Sequence, residues 1–340
     1  MYLRGLMLDG KRKSMQPMAE RLGVDHQQQQ QFVSSSTWDY TEARRRVARW
    51  AAAQITPEAY AIDDVGFPKD GYDSPGVARM YCGALGRRGD CQIPVSINLV
   101  SDTASSAVDW RLFLPESWDD AKNNDDELLA GAIRRRRART GIPDQARHLE
   151  RWRLALEMLD EVRREWELPD LPVATDAGYG DATGFRQGLT ERGLAYAVAV
   201  AVKGSTTCYP GNAVPQRPAY SGQGRPPGAA YQQPHTTLRA LATTAGGQAV
   251  RTVTWRHGSK ATRDNPRAAE PTDYWLSTPP ADTPPRELVR IAKIRWRVEH
   301  DYRETAAGTH RPLANHQRVL SHAEGSKLPL SISLPTKFRR

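Results

Sequence analysis

Between Tyr60 and Trp118 the chain sets out three strands in succession, and the first of them ends on two acids. Tyr60–Ile62 is apolar and runs into Asp63 and Asp64; Gly66, Pro68 and Gly71 then stop it. CQIPVSINLVSD and SAVDWRLFLPESW follow, both alternating and rich in β-forming residues. The short SDTASS link between them predicts an antiparallel meander. The first strand of that meander carries carboxylates to its C-terminal end.

Downstream the pattern alternates between helix and strand. Residues 117–145 are charged, with a run from Arg134 to Arg137 plus Arg139, which reads as a solvated face. Gln145–Glu167 reads as one long amphipathic helix, and Pro169 and Pro172 bracket its exit. LPVATDAGYGD is a short buried strand, then Asp176, then a glycine turn. Gly178 and Gly180 would let the backbone crowd close to a ligand or a metal. The alternative is a helix-capping Asp176, although Asp181 stands better for a helix starting near Ala182. AYAVAVAVKG is another buried strand. Residues 205–234 are rich in Pro, Gly, Ser and Gln and read as a loop. QAVRTVTWRHGSKATR and PTDYWLSTPP read as two strands of a mainly β insert with a cationic face.

Leu288–Glu304 (LVRIAKIRWRVEHDYRE) has no Gly or Pro and reads as a helix. At 3.6 residues per turn Leu288, Ile291, Ala292, Val298 and Tyr302 form one stripe. Arg295 and Glu299 fall inside it. A carboxylate on a core-facing stripe needs a partner or a metal, because an unpaired buried charge costs several kcal/mol. Glu299 is therefore either neutralised by Arg295 and Arg303, four residues to each side, or aimed at a metal. Glu299 to Arg303 has the favourable order for a helical ion pair and Arg295 to Glu299 the less favourable one.

At 340 residues the chain can hold one large domain or two smaller ones. No apolar run reaches the ~18 residues of a membrane span. The start, MYLRGLMLDGKRK, is too short and too soon charged for a secretory signal. Cys82, Cys91 and Cys208 lack CxxC spacing, which points to a reducing compartment and away from a zinc site or disulfide frame. The formal charge is +9, and 11 Lys/Arg stand against 4 Asp/Glu from Ala182 to Trp275. A regional excess of that kind suits a polyanion partner.

Three acids thus punctuate an order of three strands, helix, strand, helix, strand, insert and helix. Asp63 ends the first strand, Asp176 ends a later one, and Glu299 sits on the last helix. That is a ribonuclease H-like plan: an α/β fold whose mixed sheet is flanked by helices, with an N-terminal helical region and a mainly β insert before the last helix. Carboxylates suit Mg²⁺, a hard ion that prefers oxygen. Two such ions ~4 Å apart serve an in-line displacement at phosphorus.

IDDVGFPKDGYDSPGVARMYCG, VDWRLFLPESW, TDAGYGD, YWLST and IRWRVEHDYRE resemble DDE transposases of the insertion sequence 701 family, relatives of the insertion sequence 4 group. The similarity runs from about Tyr2 to Glu304. It implies metal-dependent DNA cleavage and strand transfer at insertion-sequence ends, with Asp63, Asp176 and Glu299 as catalytic and metal-binding triad. Asp64 is the rival for the first place. It implies two Mg²⁺ ions, with Mn²⁺ as a substitute, and DNA as partner, both transposon ends and target. It also leaves room for a homodimer in a DNA complex, implies no membrane partner, and places the protein in the bacterial cytoplasm at the nucleoid.

The wider group's Y-x2-R-x3-E-x6-K signature matches at Arg295 and Glu299 and departs at Ala292 and Ala306. Arg295 and Arg303, with Arg251, Arg256 and Lys260 of the insert, are expected to neutralise DNA phosphates. The expected segments are 1–55 (helical, a candidate for DNA binding), 56–203 (first part of the core), 204–284 (basic insert), 285–304 (last core helix) and 305–340 (an atypical, poorly ordered tail). That tail departs from the family, so a DNA-binding remnant without catalysis is the second reading.

Overall fold

The computed structural model of the chain describes residues 2–8, 14–37, 39–200, 274–280 and 282–308, with short pieces between 207 and 263. Of the expected tail 305–340, residues 305–308 belong to the last helix; the rest and Arg251 lie outside the described residues. The chain divides into two compact units. One is built from residues up to Pro172 and again from Ile294 on; the other is Val173–Lys293.

The first unit opens with four helices: α1 (Tyr2–Met7), α2 (Met15–Leu22), α3 (His26–Ser34) and α4 (Tyr40–Ile55). Gly23 ends α2 at φ 65°, a left-handed backbone that a residue without Cβ adopts at little cost. Asp25 and Asp39 cap α3 and α4 by accepting from the N–H groups of Gln27 and Glu42. α4 buries Ala48 and Ala51, and these small residues let it lie close to the sheet.

The strands of this unit are β1 (Ala59–Asp64), β2 (Phe67–Pro68), β3 (Ala78–Cys82), β4 (Arg87–Gln92), β5 (Pro94–Val100) and β6 (Ser105–Leu112). β1, β5 and β6 form the expected antiparallel meander, with Asp63 registered against Ser96 and Asp64 against Val95. Val95 to Val100 are all buried, so the middle strand is covered on both faces. Arg44 of α4 pairs with Asp109 of β6, a fully buried carboxylate. Burial pushes that carboxyl up, and Arg44 and Arg111 offset the push only in part.

β2, β4 and β3 form a separate three-stranded antiparallel sheet inserted between β1 and β5. CQIPVSINLVSD is accordingly not one strand. Its Cys91–Gln92 closes β4, Ile93 turns the chain, and β5 begins at Pro94.

Two further expectations change here. The helix read as Gln145–Glu167 is α6, Arg151–Asp160, continued by a π turn over Glu161–Glu165. It starts late because the preceding segment is tied to the Trp118 loop: the His148 N–H donates to Asp119 at 2.9 Å. The arginine run lies on α5 (Glu127–Thr140) and is only partly a solvated face. Arg137 is 2% exposed and donates to the carbonyls of Trp118, Pro143 and Ala146 at 2.9, 2.8 and 2.7 Å. The Trp118 carbonyl is buried and needs a donor, and the Pro143 carbonyl also takes the Ala146 N–H at 3.0 Å, so Arg137 ties the loop after α5 to Trp118. Arg136 lies over the Trp118 ring, 3.8 Å from its centre.

In the second unit β7 (Val173–Thr175) runs parallel to β8 (Tyr196–Val200), and α7 (Ala177–Gly180) and α8 (Thr183–Glu191) connect them. α8 has Ala182 at its N-cap position and no side-chain cap, so Asp181 does not play the capping role expected of it. Gly180 is needed for packing within the protein: a Cβ there would stand 1.7 Å from the Ala199 carbonyl oxygen of β8. β9 (Thr207–Cys208) pairs with β10 (Thr236–Thr237), and β11 (Thr254–His257) with β12 (Lys260–Arg263). β13 (Tyr274–Ser277), expected in the insert, instead pairs antiparallel with β8 and extends the main sheet. Its Trp275 ring receives the Lys293 ammonium at 4.4 Å.

The strands run in the order β13, β8, β7, β1, β5 and β6 in a mixed sheet flanked by helices, with an antiparallel meander and a parallel pair joined by helix. This is the ribonuclease H-like class expected. No helix among the described residues is long and apolar enough to cross a membrane.

Candidate active site

The expected 17-residue helix is two helices. Pro285–Lys293 ends before Ile294 and Arg295, and Trp296–Gly308 begins after them. Arg295 therefore sits on the turn between them. Ile294 is 1% and Val298 1% exposed, so the chain is pinned by apolar side chains on both sides of Arg295.

Asp63 and Glu299 are brought together through that arginine. Arg295 donates to Asp63 Oδ2 at 2.7 Å, and its second terminal nitrogen stands 2.9 Å from Glu299 Oε1. One guanidinium thus holds a carboxylate from the end of β1 and one from the closing helix. The Arg295 half of the ion pairing expected for Glu299 is thus present. The Arg303 side chain lies outside the described residues.

Strand geometry separates the two neighbouring acids. Successive side chains of a strand point to opposite faces. Asp63 meets Arg295, while Asp64 pairs with Arg151 of α6. The acid that faces the closing helix is Asp63.

The closing helix is fastened by groups that sequence reasoning passed over. Asp301 accepts from the Ser105 N–H at 2.8 Å and from its hydroxyl at 2.6 Å, and it pairs with Arg297. Burial alone would raise the Asp301 carboxyl, but Arg297 and Ser105 outweigh it and hold it below the usual carboxylate range. Tyr302, read as a core residue, stands between Ser96 and Asp63; burial foremost, then the Asp63 charge, pushes its hydroxyl up to about 12. Ser96 and Asn98 are buried polar residues of β5. Asn98 donates to the Ala61 carbonyl at 3.3 Å and to Ser96 Oγ at 3.1 Å, and Ser96 donates to the Asp63 carbonyl at 3.2 Å. The signal was in the sequence: two polar residues spaced by two inside SINLV, which otherwise reads as an apolar run.

Asp176 lies in the other unit, at the end of β7. It caps the short α7, accepting from the Gly178 N–H at 2.9 Å. Gly178 belongs to that cap: a Cβ on it would meet Asp176 Oδ1 at 3.1 Å. Among the described residues no three His, Cys, Asp or Glu side chains are gathered as a metal site. Of the insert residues expected on DNA, Arg256 registers against Ala261 and Lys260 against His257 in the β11–β12 hairpin, and their side chains lie outside the described residues.

A ribonuclease H-like sheet with an acid at the end of its first strand, facing a second acid on a late helix, belongs to the architectural class of carboxylate nucleases. The sequence pattern of one family of that class, described as DDE superfamily endonuclease, matches residues 1–262, and the chain belongs to that family. Nucleases of this kind generally use divalent metal ions. No curated protein is significantly similar to the chain. Among solved structures, a Mos1 transposase paired-end complex with left transposon end is similar at 12% identity and a TM-score of 0.21, over 54% of this chain and 53% of that one. The chain thus spans about half the length of that protein, and a likeness this low carries no weight for the site.

Proposed function

We propose that the protein is a transposase that cleaves DNA phosphodiesters at insertion-sequence ends and joins the freed 3′ end to a target. Asp63, Glu299 and Asp176 are the carboxylates of the reaction. The observation that carries this reading is the pair Asp63–Glu299, far apart in sequence and held on one shared cationic group. The donor chemistry of Asp63 and Glu299 suits a hard divalent ion: both are oxygen donors that already share one positive charge; Asp176 would be the third ligand. When bound, Mg²⁺ would activate the attacking oxygen and steady the leaving one.

The chain's own residues orient that chemistry. Ser96 and Asn98 fix the backbone of β1 beneath Asp63. Asp301 and Ser105 fix the helix that carries Glu299. Arg295 keeps two like charges together and is the group that would turn toward a DNA phosphate once a metal takes over the carboxylates. The Tyr302 hydroxyl stays protonated beside Asp63 and can donate a hydrogen bond.

The test is a nicking assay on DNA bearing the element's own ends, with Mg²⁺ or Mn²⁺ against a chelator. Wild type should nick and transfer, and Asp63→Asn, Asp176→Asn and Glu299→Gln should retain DNA without nicking. Retention of DNA by the wild type with no nicking in either metal would replace this reading with that of a binding remnant.

A further inference from the structure

The three-stranded sheet β2–β4–β3 has two unlike faces. Its register places Phe67 opposite Gln92, Arg79 opposite Asp90, and Tyr81 opposite Arg88. Directly opposed residues share a face, and alternate residues along a strand share it too. Phe67, Arg79, Tyr81, Arg88, Asp90 and Gln92 therefore stand on one side, with two cations against one acid. The other side carries Met80, Cys82 and Cys91, which pack with Ile93, Ala84 and Leu85 in a small core of their own. The first side is the exposed one: Tyr81 is 63% and Phe67 47% accessible, and Arg79 and Arg88 are exposed. Exposed aromatic rings on a small sheet are not explained by folding, because the sheet's core is already on its other face.

The position of this face is fixed by the chain. β1 ends at Asp64 and β2 begins at Phe67; β4 ends at Gln92 and β5 begins at Pro94. Both connections leave from the end of the β1–β5 ladder where Asp63 stands. Three residues of chain reach about 10 Å at most, so Phe67 lies within that distance of Asp64. That reach is far shorter than a single turn of duplex DNA (~34 Å). A duplex with a phosphate at Asp63 would extend past this distance, which puts the sheet within its reach.

We infer that the Phe67–Arg79–Tyr81–Arg88 face is a docking surface for DNA next to the scissile phosphate. This rests on the proposed role of Asp63. Arg79 and Arg88 outnumber Asp90 on this face and leave it net positive toward the backbone, and Tyr81 and Phe67 offer faces on which unpaired bases stack whatever their sequence. The occupant is the strand beside the cut, with its bases opened from the duplex.

The experiment measures retention of two labelled DNAs by the full chain in chelator: a blunt duplex and the same duplex with a four-nucleotide unpaired extension. Wild type should prefer the extended DNA. Phe67→Ala with Tyr81→Ala should lose that preference, on the order of tenfold per stacked base. Arg79→Ala with Arg88→Ala should weaken both DNAs, with the slope of log K against log salt shallower by about 1.8, two phosphate contacts' worth for duplex. All four side chains are exposed, and unchanged thermal melting confirms that the variants fold. Variants that retain both DNAs as wild type does would overturn the inference. Nicking of the element's ends is measured in parallel with Mg²⁺. A wild type that nicks while the sheet variants bind normally removes this inference alone. A wild type that fails to nick while the variants lose retention removes the proposed reaction and leaves the docking surface standing.

Discussion

Arg137 and Arg295 are both drawn in from solvent in the first unit, yet their surroundings differ in kind. Arg137, with 3% of its side chain exposed, spends its donors on three backbone carbonyls and has Asp120 at 3.8 Å. Beside it Arg147 contacts Asp119 and Asp120. Arg295 is 26% exposed and serves two carboxylates that come from distant parts of the chain. The carbonyls around Arg137 come from one loop and its neighbouring turn and carry only partial charges, so Arg137 is a strut of the fold. Two carboxylates do repel, so the Asp63 end of the sheet exists as a cluster only while some cation is there. The first arrangement is complete within the protein; in the second, the proposed reaction would exchange Arg295 for a divalent ion.

The largest effect that sharpens this contrast is on chemistry. Asp63→Asn should lower nicking at least about 1000-fold, roughly 4 kcal/mol of transition-state stabilisation, while the thermal midpoint stays near wild type. A parallel collapse of folding would put Asp63 in the same class as Arg137. Next, Arg137→Ala should cost about 3 kcal/mol in denaturant unfolding, since it strands the buried Trp118 carbonyl and removes the charge partner of Asp120. Nicking per folded molecule should hold. A pH effect follows from the same loop. Burial alone would raise the Asp119 carboxyl, but the His148 and Ala121 N–H groups and Arg147 outweigh it and lower it. A carboxyl lowered in the folded state stabilises fully above its unfolded value of about 3.9 and loses that stabilisation as pH falls through its folded value. Asp119→Asn should therefore flatten the stability profile below about pH 4, seen by unfolding at stepped pH. The smallest effect belongs to Asp64→Asn. Its pair with Arg151 is half-exposed, so its loss should cost under about 1 kcal/mol, and nicking should change little.

The same contrast explains what the sequence revealed. The meander was legible because alternation and apolar runs record burial directly, and β1, β5 and β6 lie where those patterns place them. Asp63 and Glu299 were legible as misfits: acids at a buried strand end and on an apolar stripe. Arg137 was hidden, because a run of five arginines over 134–139 does not say which one turns inward; that depends on where the carbonyls of Trp118 and Pro143 come to lie. The break at Ile294–Arg295 was hidden for a related reason. No Gly or Pro marks it, and helical spacing alone carries the pattern through. The β2–β4–β3 sheet escaped notice because its strands are short and its outer face is polar and aromatic, which weakens the alternation signal. The cap at Asp176 was weighed from local sequence; what local sequence lacked was the close passage of Gly180 against Ala199, a contact made across the fold.

We propose Asp63, and not its neighbour Asp64, as the β1 carboxylate that takes a divalent ion. Titrating Mn²⁺ into the protein and following the free ion by electron paramagnetic resonance tests it without reference to turnover. Wild type and Asp64→Asn should bind Mn²⁺ alike and Asp63→Asn should lose binding. Loss on Asp64→Asn with retention on Asp63→Asn would contradict the account, as would a wild type that takes up no ion.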